Sequence, residues 1–128
     1  MPIAFRLDPA SGVPFYRQVI DQVLAAVATG AVAVGEQLPT VRALAVDLQV
    51  NLNTVAKAYK ELEIRGVLNT QQGSGTYVGG VRVERDAVER RRQVVQLVDE
   101  FLARAGRAGL PPEEVAAELA ARLKEDSR

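Results

Sequence analysis

Between Pro14 and Gly66 the chain carries three runs of helix-spaced apolar residues, each followed by a residue that a helix does not run through, and this punctuation leaves few possible folds. In the first run Tyr16, Val19, Ile20, Val23, Leu24 and Val27 recur at helical spacing. Arg17, Gln18, Asp21 and Gln22 take the other side, and Gly30 is placed to end the helix in a left-handed conformation. Residues 35–40 then read as a turn, because Pro39 cannot extend a helix backwards and Thr40 is a good N-cap for the next one. Leu44, Ala45 and Leu48 give a short second helix, of about nine residues, its apolar stripe. Asn51 caps a third, in which Val55, Ala58, Tyr59 and Leu62 form the inner face while Asn53, Lys57 and Lys60 look outward together. Beyond Gly66, residues 67–71 and 76–78 read as two short strands joined by the turn Gln72-Gly73-Ser74-Gly75, hence a hairpin.

From Val83 the pattern changes to one long helix, with Val83, Ala87, Val94, Val98, Phe101 and Ala105 at heptad-like steps and Arg91 interrupting the seam. Residues 106–112 read as a break, and Val115, Leu119 and Leu123 mark a last short helix. The expected division is 1–80 and 81–128. The fold class expected is mainly α with a small β-hairpin: an N-terminal winged helix-turn-helix followed by a short two-helix region.

The chain has no His and no Cys, which removes ordinary zinc and iron sites, thiol nucleophiles and the Ser-His-Asp relay. Glu61 and Glu63 lie two apart on a helix and point to different faces, and Glu113 and Glu114 simply complement the dipole of a helix start. No catalytic constellation, metal site or cofactor is expected, and the protein is not expected to be an enzyme. Gly73, Gly75, Gly79 and Gly80 suggest a nucleotide loop at first, but Val78 stands where G-x-G-x-x-G needs its third glycine, so a turn is the better account. The longest nearly uncharged stretch, 23–35, is too short for a membrane span and is broken by Gly30. The opening Met1-Pro2-Ile3-Ala4-Phe5-Arg6 lacks a signal peptide's basic-then-apolar layout, so a cytoplasmic location with no membrane partner is expected.

A third helix with an outward polar face suits the major groove of DNA. Asn51, Asn53, Thr54 and Lys57 form its reading surface: an Asn amide both donates and accepts, as adenine's groove edge requires, and Lys57 reaches guanine or phosphate. Thr40 and Arg42, at the start of the second helix, combine a helix N-terminus with a cation and are placed to clamp a phosphate. The uncharged tip at Gln72, Gly73, Ser74 and Gly75 would let backbone N–H groups approach the DNA. Each feature also has a plain structural account. An Asn before a helix is most often only a cap, exposed lysines are by default solvated, and Arg90, Arg91 and Arg92 near Glu89, Asp99 and Glu100 read as a charge-laced helix face.

The stretches Leu38-Pro39-Thr40-Val41-Arg42-Ala43-Leu44-Ala45 and Val50-Asn51-Leu52-Asn53-Thr54-Val55, followed by Ala58-Tyr59, Leu62-Glu63, Gly66 and Gly73-Ser74-Gly75-Thr76-Tyr77-Val78, closely resemble the DNA-binding domain of GntR-family bacterial transcription regulators. The resemblance implies homodimeric binding to operator DNA, contacts from Arg42, Asn51, Asn53 and Thr54, and Gln72 and Gly73 at the wing tip. Leu52 stands where many members have Arg and others Pro, and Ala56 where some have Arg, so those arginine readers are absent here. The last 48 residues resemble the short two-helix region of the YtrA subfamily, whose members are often repressors.

A heptad-like stripe cannot be covered by so short a partner helix alone, so a second chain is the expected cover, through Val94, Val98, Phe101, Leu119 and Leu123. Two helices supply too little wall for a deep, enclosed pocket, which leaves a small-molecule effector possible but unnamed. The expectation is a sequence-specific transcriptional regulator, a repressor, that binds double-stranded operator DNA with inverted-repeat half-sites as a homodimer. The alternative is a winged-helix protein–protein interaction module without specific DNA binding. The formal net charge of zero, from 16 cations and 16 anions, does not decide between them. Within 40–60, Arg42, Lys57 and Lys60 face only Asp47, which leaves the proposed DNA surface locally positive.

Overall fold

α1 (Phe15–Thr29) starts at Pro14 and ends at Gly30, whose φ of 81° lets its N–H turn back to the Val27 carbonyl. The computed structural model of the chain describes residues 3–80 and 87–126, and it divides into two compact units, Met1–Val81 and Arg82–Arg128. α1 buries Val19, Ile20, Val23 and Ala26. Two of its residues depart from the face assigned by periodicity: Val27 is exposed, whereas Gln18 is buried. Gln18 is buried because the segment before the helix folds back across α1 and has backbone groups to satisfy. Gln18 Nε2 donates to the Asp8 carbonyl at 2.9 Å, the Ser11 hydroxyl at 3.0 Å and the Val13 carbonyl at 2.8 Å, while its Oε1 accepts from the Asp8 N–H at 2.8 Å. One turn on, Gln22 makes a reciprocal pair with the Arg6 backbone.

After α1 come β1 (Gln37–Leu38), α2 (Val41–Leu48), α3 (Leu52–Ile64), β2 (Leu68–Gln71) and β3 (Gly75–Val78). The sheet is antiparallel in the order β1-β3-β2, with Leu38 opposite Thr76 and Leu68 opposite Val78. The sequence indicated a turn over 35–40 and a two-stranded hairpin, so β1 is an addition. Two residues are too few to display alternation, and Pro39 ends the strand as soon as Leu38 is buried. Gly75 lies in β3 rather than in the turn. Gly79 passes so near the turn after α3 that a Cβ there would lie 2.5 Å from the Gly66 carbonyl oxygen, and its N–H donates to the Val67 carbonyl at 2.8 Å.

The core gathers Val19, Ile20 and Val23 of α1, Leu44 and Ala45 of α2, and Val55, Ala58, Tyr59 and Leu62 of α3, with Leu38, Leu68 and Val78 from the sheet. The buried Tyr59 hydroxyl donates to the Pro39 carbonyl at 2.8 Å, which ties α3 to the link between β1 and α2. Burial pushes its pKa above the ordinary phenolic value, since the phenolate would lose its hydration.

In the second unit α4 spans Ala87–Arg107 and α5 spans Pro112–Asp126. Val83 lies outside the described residues. Gly106, expected to open the break, is inside α4. The chain turns instead at Gly109, with φ of 70°, and the Leu110 N–H closes back on the Ala105 carbonyl at 3.0 Å. Pro112 takes the first helical position, where its missing N–H does no harm, and Glu113 and Glu114 follow in the first turn. α5 is 15 residues long, more than its three apolar markers indicated, because a polar run continues the helix past Leu123. Among the described residues no helix is long and apolar enough to cross a membrane.

Candidate nucleic-acid interface

The helix-turn-helix is set by two caps and one strained residue. Thr40 Oγ1 accepts from the Ala43 N–H at 3.0 Å and opens α2, and Asn51 Oδ1 accepts from the Asn53 N–H at 2.8 Å and opens α3. Between them Gln49 adopts φ 56° and ψ 46°, a left-handed conformation usually left to Gly or Asn. Its N–H reaches the Val46 carbonyl, and the N–H of Val50 reaches the Ala45 carbonyl. The link from α2 to α3 is thereby held to Gln49, Val50 and Asn51.

α3 turns Val55, Ala58, Tyr59 and Leu62 inward, which leaves Asn53, Lys57 and Lys60 exposed and Thr54 half-buried at its N-terminal end. Asn51 is a cap, with its carbonyl oxygen committed to the helix and its amide hydrogens on an exposed residue. Asn53, Thr54 and Lys57 meet Pro14, Phe15 and Tyr16 along one groove of about 420 Å³. Arg42 lines another with Ala45, Val46, Gln49, Val50 and Leu52. The Lys57 ammonium sits 4.0 Å from the centroid of the Tyr16 ring. Sequence reasoning missed this contact because it placed Tyr16 on the apolar stripe of α1.

Charge pairing divides the cations of this unit. Arg17 pairs with Asp21 at 3.6 Å and Arg65 with Glu61 at 3.9 Å, each one helical turn away. Arg42, Lys57 and Lys60, like Arg6 in the segment before α1, enter no salt bridge among the described residues. Glu63, the other carboxylate near the end of α3, accepts from the Thr70 hydroxyl and so joins the helix to β2. Among the described residues no cluster of His, Cys, Asp or Glu is placed to hold a metal ion.

At the wing, the Ser74 N–H closes on the Gln71 carbonyl at 3.0 Å, and Gly73 takes φ 80° inside that turn. Gln72 and Gly73 are exposed. Ser74 is engaged internally, its hydroxyl with the Tyr77 hydroxyl and its carbonyl with Gln37 Nε2 at 3.3 Å. Gln37 and Tyr77, which face each other across β1 and β3, are therefore the supports of the wing tip. No sequence signal marked them: Tyr77 was read only as part of a strand and Gln37 only as part of the turn over 35–40.

In the second unit Val98, Phe101 and Leu119 share an open, largely apolar groove between α4 and α5 with Leu97, Leu102 and Ala116. Val94 and Leu123 lie outside its lining. Both, like Val98 and Leu119, remain about half exposed, at 47%, 47%, 49% and 50%.

The family model for bacterial regulatory proteins of the gntR family matches residues 15–78, from the first residue of α1 to the last of β3. The chain belongs to the GntR family. It is 45% identical over 73 residues to the HTH-type transcriptional repressor YtrA of Bacillus subtilis (strain 168), a match covering 57% of this chain and 56% of that protein. Its fold is similar to the crystal structure of a transcriptional antiterminator from Listeria monocytogenes EGD-e, with a TM-score of 0.67 at 27% identity, covering 98% of this chain and 93% of that one. It is also similar to AraR(DBD) in complex with operator ORX1, with a TM-score of 0.52 at 29% identity, covering 58% of this chain and 92% of that one. The chain spans 56 to 60% of the length of the first curated relatives it matches.

The GntR match takes in every candidate contact residue from Thr40 to Gly75 and stops short of the second unit. A GntR winged helix thus accounts for the caps, the tight turn and the wing. The exposed apolar face of α4 and α5 lies outside the match.

Proposed function

We propose that the chain is a sequence-specific, DNA-binding transcriptional regulator, a repressor, that binds an inverted-repeat operator as a homodimer. On this proposal 1–80 binds DNA, 81–128 dimerises, and the protein works in the cytoplasm without a cofactor or an enzymatic activity. The observation that carries it is the N-terminal half of α3, with Asn53 and Lys57 outward, near a surface whose cations Arg42, Lys57 and Lys60 have no carboxylate partner among the described residues. Unpaired cations on an otherwise neutral protein suit a polyanion. Asn53 and Thr54 supply side chains that donate and accept at base edges, and Thr40, Arg42 and the wing tip at Gln72, Gly73, Ser74 and Gly75 supply backbone contacts. The repressor name of the Bacillus relative and the operator bound to AraR(DBD) support the same assignment. Homodimerisation is supported by Val94, Val98, Phe101, Leu119 and Leu123, large apolar side chains left partly uncovered within one chain. A two-fold pair then presents two α3 helices to half-sites about one helical turn, or a related spacing, apart.

Anisotropy measurements against a genomic fragment library test this. A preferred duplex is expected to stand out from bulk DNA at physiological salt, and the absence of any preference would sink the proposal in favour of a protein-interaction module. With about two or three cations per protomer near phosphate, the dimer is expected to give a salt slope of roughly −4 to −5, at about 0.9 per phosphate neutralised. Arg42→Ala is expected to weaken binding equally on all sequences. Asn53→Ala is expected to relax the preference at one or two base positions by about 1–3 kcal/mol each. Uniform loss in both variants would remove Asn53 from direct readout.

A further inference from the structure

We propose that Tyr16 is a positioning residue for DNA binding: its ring holds the Lys57 ammonium at the seam between α1 and α3, where the ammonium meets a backbone phosphate rather than a base edge. The inference rests on the DNA-binding function proposed above. Lys57 lies one turn after Asn53 on the outward face of α3, and an unrestrained lysine there would sweep its four-carbon stem across the groove side of the helix. Instead its Nζ lies 4.0 Å from the Tyr16 centroid, beside the groove that Asn53 and Thr54 also line. Tyr16 is half-buried, so the ring is itself anchored, and Lys57 enters no salt bridge among the described residues.

How the lysine is held matters as much as where. A carboxylate partner would fix the ammonium but cancel its charge, as Asp21 does for Arg17 and Glu61 for Arg65. An aromatic face fixes it through the ring quadrupole and leaves the full positive charge in place. The ammonium also has three donors, and the ring engages only one side of it, so N–H groups remain for phosphate oxygens. A cation fixed beforehand loses less conformational freedom on binding than one recruited from solution. Lys57 then supplies sequence-independent affinity, and readout is left to Asn53 and Thr54.

The test uses the full chain, with anisotropy titrations of the preferred duplex and of a scrambled duplex over a range of salt. Tyr16→Phe keeps the ring and is expected to bind within about twofold of wild type. Tyr16→Leu removes the aromatic face and is expected to weaken both duplexes by the same factor, on the order of two- to fivefold. Lys57→Met is expected to reduce the salt slope by about one per protomer, and Tyr16→Leu is expected to have no further effect in that background. Equal losses from Tyr16→Leu in both Lys57 backgrounds would assign Tyr16 to packing alone and overturn the proposal. A changed base preference in Lys57→Met would overturn it in the other direction, making Lys57 a reader. Should Tyr16→Leu fail to fold, the free wild-type protein still decides. Its Lys57 ε-methylene protons are expected to show an upfield ring-current shift in NMR, and a random-coil position would overturn the proposal. Wild type that binds no duplex would defeat the DNA-binding function itself. Wild type that binds without the Tyr16–Lys57 coupling would defeat only the positioning role.

Discussion

In Met1–Val81 the side chains of Val19, Ile20, Val23, Leu44, Val55, Tyr59 and Leu62 are almost wholly removed from solvent, whereas in Arg82–Arg128 Ala105 is the one buried hydrophobic residue among those described. The polar groups differ in the same way. The first unit uses Gln18, Gln22 and Asn51 to satisfy backbone groups of other segments or of a helix start. In the second, the side-chain hydrogen bonds of Gln96 with Glu100 and of Arg122 with Glu118 each stay within one helix. Three helices and a sheet can enclose a core from several sides, but two helices cover only the seam between them. The first unit therefore closes its core within a single chain. The second leaves Leu97 at 65% exposure and Val98 at 49%, a face suited to association.

The contrast is broken most directly by Leu62→Ala. Leu62 is fully buried at the centre of the first unit, and its truncation is expected to lower unfolding free energy by about 2–5 kcal/mol in denaturant titrations, at any protein concentration. Val98→Asp is the matching change in the second unit. It is expected to leave the unfolding of the first unit unaltered while raising the dissociation constant of the proposed dimer at least about 30-fold, the equivalent of about 2 kcal/mol, measured by sedimentation. Loss of the first unit's structure in Val98→Asp, or an unchanged assembly state, would erase the distinction.

The helical part of this architecture was legible because caps and periodicity are local. Thr40 and Asn51 are caps as expected, and Val55, Ala58, Tyr59 and Leu62 all face inward. The misses were tertiary. Gln18 looked like a surface residue until the segment before α1 supplied backbone groups for it to bond. β1 is too short for any pattern, and Gly106 stayed helical because the turn was made at Gly109. At the candidate interface the residue types and the outward face of α3 were readable. The Tyr16–Lys57 contact and the bracing of Ser74 by Gln37 and Tyr77 were not, since they rest on side chains with ordinary structural duties, brought together by packing rather than by any pattern in the sequence.

The smallest effect sharpens the contrast within the first unit, between its relaxed core and its strained turn. Gln49 alone among the described non-glycine residues has a positive φ, and it stands between α2 and α3, where the turn fixes the angle at which α3 is presented. A side chain in the left-handed region costs about 1–2 kcal/mol relative to the right-handed one. Glycine avoids that strain but gives back part of the gain through the greater freedom of its unfolded chain. Gln49→Gly is therefore expected to stabilise the protein by about 0.5–1 kcal/mol, a rise of a few degrees in melting temperature, with DNA affinity unchanged within about twofold. Unchanged or lower stability would mean that the Gln49 side chain, rather than its backbone, holds the turn. A gain in stability accompanied by a fall in affinity would mean that the stiffness of a non-glycine residue is what keeps α3 in its binding orientation.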